Sequence, residues 1–383
     1  MFLVVLGSFL GLMTLYVWFR IVRSTTRPGR MRRILTVLLL VATALLVMAL
    51  MLRRDPGGSS WLAWPGYLWF GLLVYLVLAL LVLEPVRLVA RLARRPENSG
   101  PADEAPDLDR RLFLARASAV AAGAAAVGVT GVGVATALGP PHVLRVPVRL
   151  PRLAQEFDGF RIAVVSDIHL GPLLGPRHTE RIVRMINETE PDLVAVVGDL
   201  VDGTVAQLGP AAAPLADLVS REGAFFVTGN HEYFVDDTAE WLAELDELGL
   251  QVLRNENTRI RRGAAAFDLA GVNDLAGRSI DEPPDFDAAL RGVDAETPTI
   301  LLAHQPVQVA EAARHNIDLQ LSGHTHGGQM WPFHYAVELA QPSLAGLSTV
   351  DGTQLYVSRG AGFWGPPVRV GAPPDISVLT LRR

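Results

Sequence analysis

Apolar residues fill four long stretches in the first third of this chain. After residue 142 they break into short runs separated by polar and Gly-containing segments. The long stretches cover residues 2–19, 34–52, 61–83 and 117–138. Each is close to the roughly 20 residues that a helix needs to cross a hydrocarbon core. The first three, rich in Leu, Val, Trp and Tyr, are apolar on every helical face. A helix with one wet side is not, so these predict membrane helices. The fourth is built from Ala, Gly and Val. It follows Arg110-Arg111-Leu112-Phe113-Leu114, a pattern like a twin-arginine export signal, and Ala135-Thr136-Ala137 near its end is like a small-residue cleavage site. It is expected to be a fourth anchor, with a cleavable export segment as the alternative.

Beyond residue 142 the period changes. Runs at 161–166, 193–198, 224–228, 299–303 and 355–358 predict buried strands. Apolar residues spaced by three and four predict helices at 177–187 and 238–248, the second starting behind Asp236 and Asp237. Strand-helix alternation gives a sheet with helices on its outer faces. Shorter runs at 251–253, 259–262, 266–270 and 376–381 fit hairpins in a second sheet. The expected organisation is three transmembrane helices over 1–94, a cytoplasmic linker over 95–116, the fourth transmembrane or export segment over 117–140, and an α/β domain over 141–383.

Charge gives this layout a direction. Residues 1–116 carry 15 Arg against 7 acids, and residues 117–383 carry 19 Arg against 32 acids. Arg20, Arg23, Arg27, Arg30, Arg32 and Arg33 follow the first stretch. Arg87, Arg91, Arg94, Arg95, Arg110, Arg111 and Arg116 follow the third, whereas only Arg53 and Arg54 follow the second. Positive loops stay inside, so the expected localisation is a multi-pass protein of the cell membrane with its α/β domain on the extracytoplasmic side. The acidic α/β part argues against a nucleic-acid partner, since that affinity rests on phosphate neutralisation. With no cysteine, thiolate catalysis and Cys-ligated zinc are excluded.

The candidate chemistry sits where strands are expected to end. Asp167 and His169 follow the first run in SDIH, and Asp199 and Asp202 follow the second in GDLVD. Asn230 and His231 follow the third in GNHE. His304 follows the fourth in AHQP, and His324 and His326 stand in GHTHGG. Open α/β sheets bind ligands at the carboxyl ends of their strands. A dinuclear hydrolytic centre needs nitrogen and oxygen ligands, with one carboxylate able to bridge, and imidazole with carboxylate suits Mn, Fe or Zn. His142, His178, His315 and His334 lie outside these motifs and read as surface or loop histidines. Arg359 in SRG is placed to contact a phosphate or to make a salt bridge. The aromatic segments 330–333 and 363–364 are expected to pack over a sheet edge; lining an apolar substrate groove or resting at the membrane surface is the alternative.

The ordered set SDIH, GDLVD, GNHE, AHQP and GHTHGGQ resembles the calcineurin-like metallophosphoesterase superfamily. The closing segment SRGAGFWGPPVRV with DISVLTL resembles its bacterial membrane-associated phosphodiesterase branch. The resemblance covers about residues 143–383 and implies two packed β-sheets flanked by helices, a four-layer sandwich. It further implies that Asp167, His169 and His326 bind a first divalent ion, that Asn230, His304 and His324 bind a second, and that Asp199 bridges them. His231 would act on the phosphoryl group and the leaving oxygen, with Asp202 in support. Hydroxide formed between the two ions would attack phosphorus in line. The substrate class so implied is a phosphodiester or phosphomonoester, lipid-linked esters included. A tethered hydrolase of soluble nucleotides or small phosphoesters, and a catalytically silent metal-binding membrane sensor, stand as alternatives.

Overall fold

A computed structural model describes residues 2–51, 60–92, 104–235 and 237–383. Expectations resting on Arg53, Arg54, Arg94, Arg95, the linker over 95–103 and Asp236 lie outside the described residues. The chain divides into a helical unit and an α/β unit.

The helical unit holds α1 (Phe2–Val17), α2 (Arg30–Met51), α3 (Ser60–Leu92) and α4 (Glu104–Leu138). Among the described residues, three helical segments are long and apolar enough to cross a membrane: Arg30–Met51, Trp61–Val89 and Arg111–Leu138. The first stretch forms an α-helix of 16 residues that continues as a π-helix over Trp18–Arg23. Polar side chains explain the change. Ser24 Oγ donates to the Arg20 carbonyl at 2.6 Å and Thr26 Oγ1 to the Val22 carbonyl at 2.6 Å, pulling on the last turn. Arg20 pairs with Glu84 of α3, and Tyr16 Oη donates to the same carboxylate at 2.7 Å. The linker expectation also changes, because α4 already starts at Glu104. Pro106 falls in its first turn, where no N–H is needed. Val37, Leu38 and Leu40 of α2, Val82 of α3 and Val120 and Val127 of α4 are exposed. At about 25 cal/mol per Å² such faces favour hydrocarbon over water.

The α/β unit contains β1 (His142–Arg149), β2 (Arg161–Val165), α5 (Pro176–Asn187), β3 (Leu193–Val197), α6 (Val205–Ala212), β4 (Ala224–Val227), α7 (Thr238–Glu247), β5 (Leu250–Val252), β6 (Glu256–Arg262) and β7 (Ala265–Gly271). It continues with α8 (Phe286–Ala289), β8 (Thr299–Leu302), α9 (Val309–Arg314), β9 (Leu319–Ser322), α10 (His334–Glu338), β10 (Gly346–Val350), β11 (Thr353–Val357) and β12 (Asp375–Arg382). One sheet has the order β1-β12-β2-β3-β4-β5 and the other β10-β11-β9-β8-β7-β6. Side-chain alternation along each strand builds the layers. Ile162, Val164, Ala195, Val197, Phe225 and Val227 of the first sheet meet Phe267, Leu269, Ile300, Leu302, Leu319 and Leu321 of the second. The intervening Ala163, Val165, Val194, Val196 and Phe226 face Ile182, Val183 and Ile186 of α5 and Trp241, Leu242 and Leu245 of α7. On the far side Ala270 and Leu301 pack against Phe286, Ala289 and Ala312 of α8 and α9. The result is the expected helix-sheet-sheet-helix sandwich.

Which strand joins which sheet differs from expectation. The 251–253 and 376–381 runs belong to the first sheet, whereas the 299–303 and 355–358 runs belong to the second. The strand-helix repeat does not stop at one sheet: β7, β8 and β9 are again parallel neighbours.

His178 is a further correction. It is buried in α5, and its Nε2 has no hydrogen-bond partner among the described residues. Burial, reinforced by Arg181, pushes its pKa down to about 4. The unfolded chain then takes up the proton first, so stability is intact above about pH 6.5 and falls as the pH drops toward 4. At 1.36 kcal/mol per unit the ceiling is about 3 kcal/mol. The thermal midpoint of His178→Leu should therefore fall less between pH 7 and pH 4.5 than that of the parent chain. Parallel slopes would refute the assignment.

Candidate metal centre

Every motif residue emerges where a strand stops. Asp167 and His169 lie beyond β2, Asp199 and Asp202 beyond β3, Asn230 and His231 beyond β4, His304 beyond β8, and His324 and His326 beyond β9. Five of these have positive φ: Asp167 (50°), His169 (51°), Asp199 (52°), His324 (72°) and His326 (51°). Such backbone costs about 1–3 kcal/mol per residue and persists only where surroundings enforce it. At Asp199 the enforcement comes from Glu232, which is fully buried. Its carboxylate accepts from the backbone N–H groups of Asp199 (3.0 Å), Leu200 (2.8 Å), Val201 (3.3 Å) and Gly229 (2.6 Å), locking the β3 and β4 loops together. Glu232 closes the GNHE motif, yet sequence reasoning gave it no role. Its signal was a carboxylate placed directly behind Asn230 and His231. Gly229 and Gly323 are required by close approach, since a Cβ would run into the carboxylates of Asp199 and Asp167 respectively.

The side chains converge in three overlapping groups, each with ligand atoms within 4.8 Å of one another: Asp167, His169 and His326; His169, Asp199 and His231; and Asp199, His304 and His324. Asp199 Oδ2 lies 3.2 Å from His304 Nε2, 3.8 Å from His169 Nε2 and 3.9 Å from His231 Nε2. Asp167 Oδ1 lies 3.3 Å from His326 Nε2, and its carboxylate accepts from the His324 N–H at 3.0 Å. His169 Nε2 and His326 Nε2 face each other at 3.1 Å. Asp202 Oδ1 sits 3.2 Å from His169 Nδ1 and 2.5 Å from His231 Nδ1. His304 Nδ1 donates to the Val197 carbonyl at 2.8 Å, which leaves the Nε2 lone pair free to bind. Buried His304 Nε2 and Asn230 Oδ1 have no hydrogen-bond partner among the described residues. Orphaned acceptors, imidazoles turned nitrogen to nitrogen and two buried carboxylates fit a divalent cation.

Electrostatics divides the histidines. Burial, with the like charge of His304, pushes His324 down to about 4. Burial and neighbouring His169 lower His326 as well. Burial opposes protonation of His231 too, but Asp199 and Asp202 outweigh it and raise His231 to about 9. Asp199 likewise raises buried His304, as expected where a proton and a metal ion answer the same negative charge.

Around this centre lie groups that sequence reasoning handled unevenly. Arg359 makes an ion pair, its Nη1 3.8 Å from Asp375 Oδ2. Phe363 is buried with Leu174. Of the two aromatic segments Met330 is buried as well, whereas Trp331, Phe333 and Trp364 are 50%, 38% and 42% exposed. Trp364 and Phe234 come within 5.7 Å and 5.1 Å of the His231 ring, centroid to centroid. The Gln329 side chain bonds both the N–H and the carbonyl of Trp364, at 3.0 Å each, tying that rim to the β9 loop. Arg369 stands in the closing segment SRGAGFWGPPVRV but was given no role of its own. It is fully buried, and burial pushes it down to about 10, still a cation at neutral pH.

A family model described as calcineurin-like phosphoesterase matches residues 160–328. The chain is 34% identical over 400 residues to the "Transmembrane protein with metallophosphoesterase domain" of Danio rerio, covering 100% of this chain and 89% of that protein. The Bos taurus protein of the same description is 43% identical, with 66% of this chain and 59% of that protein covered. An "Uncharacterized metallophosphoesterase" of Helicobacter pylori is 41% identical, with 64% and 65% covered.

Proposed function

We propose, on the premise that this chain belongs to the calcineurin-like phosphoesterase family, that it is a membrane-anchored phosphoester hydrolase working with two divalent ions. Asp167, His169 and His326 would hold one ion, Asn230, His304 and His324 the other, and Asp199 both. The observation that carries this reading is the convergence of His169, His304 and His324 on Asp199, from the loops behind β2, β8 and β9. Ions of this kind would supply Lewis acidity and lower the pKa of bound water. The donor set suits Mn, Fe or Zn. The protein's own part rests on His231. Asp202 fixes its ring through Nδ1, which leaves Nε2 as the nitrogen that would deliver a proton to the leaving oxygen.

Two finer features belong to the same reading. The chain spans the membrane several times with its α/β domain on the extracytoplasmic side, supported by the arginine distribution of the linkers. The substrate is a lipid-linked phosphodiester, supported by the half-exposed rings of Trp364 and Phe234 beside His231 and by the half-exposed Trp331. The full chain in detergent should contain two ions and hydrolyse bis(p-nitrophenyl) phosphate faster than p-nitrophenyl phosphate. A long-chain lipid phosphodiester should compete better than its short-chain analogue. Trp331→Ala/Trp364→Ala should narrow that gap about tenfold, equivalent to roughly 60 Å² of apolar contact at 25 cal/mol per Å². Equal competition by both chain lengths would point instead to soluble phosphoesters, and a chain binding no ion would remove the hydrolase reading.

A further inference from the structure

We infer that Arg369 is the positioning residue for the half of the centre formed by Asp167, His169 and His326, tying the 359–362 segment to the His326 turn so that this segment braces Asp167. The inference rests on the dinuclear reading above.

The guanidinium is spent on backbone. Nε donates to the Gly362 carbonyl at 2.8 Å. Nη1 donates to the carbonyls of Ala372 at 3.0 Å and His326 at 3.3 Å. Nη2 donates to Gly362 (2.6 Å), Arg359 (2.9 Å) and Gly360 (3.3 Å), and lies 3.1 Å from His326 Nδ1. Among the described residues none of its hydrogen bonds goes to a carboxylate. A buried cation without such a partner is costly, and here a ring of carbonyls offsets that cost.

What those carbonyls belong to gives the contact its meaning. The Gly362 N–H donates to the Asp167 carbonyl at 2.8 Å and the Ala361 N–H to the Ser166 carbonyl at 2.9 Å. A Cβ on Gly360 would lie 2.5 Å from Asp167 Cβ. The segment thus lies flat against the Asp167 loop, and Arg369 fastens it there and to His326 at once. The other half is anchored elsewhere. His304 is held by the Val197 carbonyl, and the loop of Asn230 by Glu232.

The test is a Mn²⁺ titration of the full chain in detergent, followed by metal content and electron paramagnetic resonance. The parent chain should bind two Mn²⁺ with an exchange-coupled signal. Arg369→Lys keeps the charge but not the planar five-donor fork. It should hold one ion at parental affinity and bind the other about 10–100-fold more weakly, with the coupled signal replaced by that of isolated Mn²⁺. His326→Ala should reproduce this one-ion pattern. Arg369→Lys holding both ions at parental affinity, or losing both in parallel with its thermal midpoint, overturns the inference. Fewer than two ions in the parent chain overturns the dinuclear reading itself, a result that needs no variant to detect.

Discussion

Asp199→Ala is expected to release both ions and to lower kcat/KM by at least about 10³-fold, since several kcal/mol of metal-supplied charge stabilisation go with them. The size follows from position. Asp199 alone belongs both to a group containing His169 and to the group of His304 and His324. Its Oδ2 lies 3.2 Å from His304 Nε2 and 3.8 Å from His169 Nε2. Its Oδ1 accepts from the His231 N–H at 2.8 Å, so one side chain also sets the start of the loop that carries His231. Without the carboxylate, three imidazoles face one another with no charge between them. Asp199→Asn keeps the shape and the loop contact but removes the charge. It should lose metal nearly as completely while melting closer to the parent than Asp199→Ala does. Metal analysis beside thermal melts separates charge from shape. Two ions retained in either variant would rule out a shared ligand at this position.

The features legible in the sequence are those written in short-range alternation. Ile162 to Val165 alternate between the inter-sheet core and the helix layer. That is why apolar runs located the strands, and why polar residues directly behind them located the centre. Long-range pairing left no such trace. β12 inserts between β1 and β2 from the far end of the chain, antiparallel to β2 and parallel to β1. Nothing in residues 376–381 says which sheet will take them. Left-handed backbone at Asp167 or His326 is equally silent, because both residues serve well in ordinary conformations. Glu232 and Arg369 act through burial, and a lone acid or arginine in a loop reads as solvated until its surroundings are known. Trp331 and Trp364 differ in the other direction: the apolar ring suggested packing, and the fold leaves each about half exposed.

His231→Ala is the complementary experiment, expected to lower turnover by about 10²–10⁴-fold while both ions stay bound. The geometry poses a real choice here, because His231 also forms a potential ligand group with His169 and Asp199. Two observations favour an acid over a ligand. Its Nδ1 is held 2.5 Å from Asp202 Oδ1 and its Nε2 is 3.9 Å from Asp199 Oδ2, against 3.2 Å for His304. The rings beside it, Phe234 and Trp364, are half exposed. A substrate entering over that rim would bring its leaving group to His231 Nε2 first. Esters with good leaving groups need little protonation, so the His231→Ala defect should shrink toward p-nitrophenolate esters and grow toward alkoxide esters. A defect independent of the leaving group, or the loss of one ion, would make His231 a ligand.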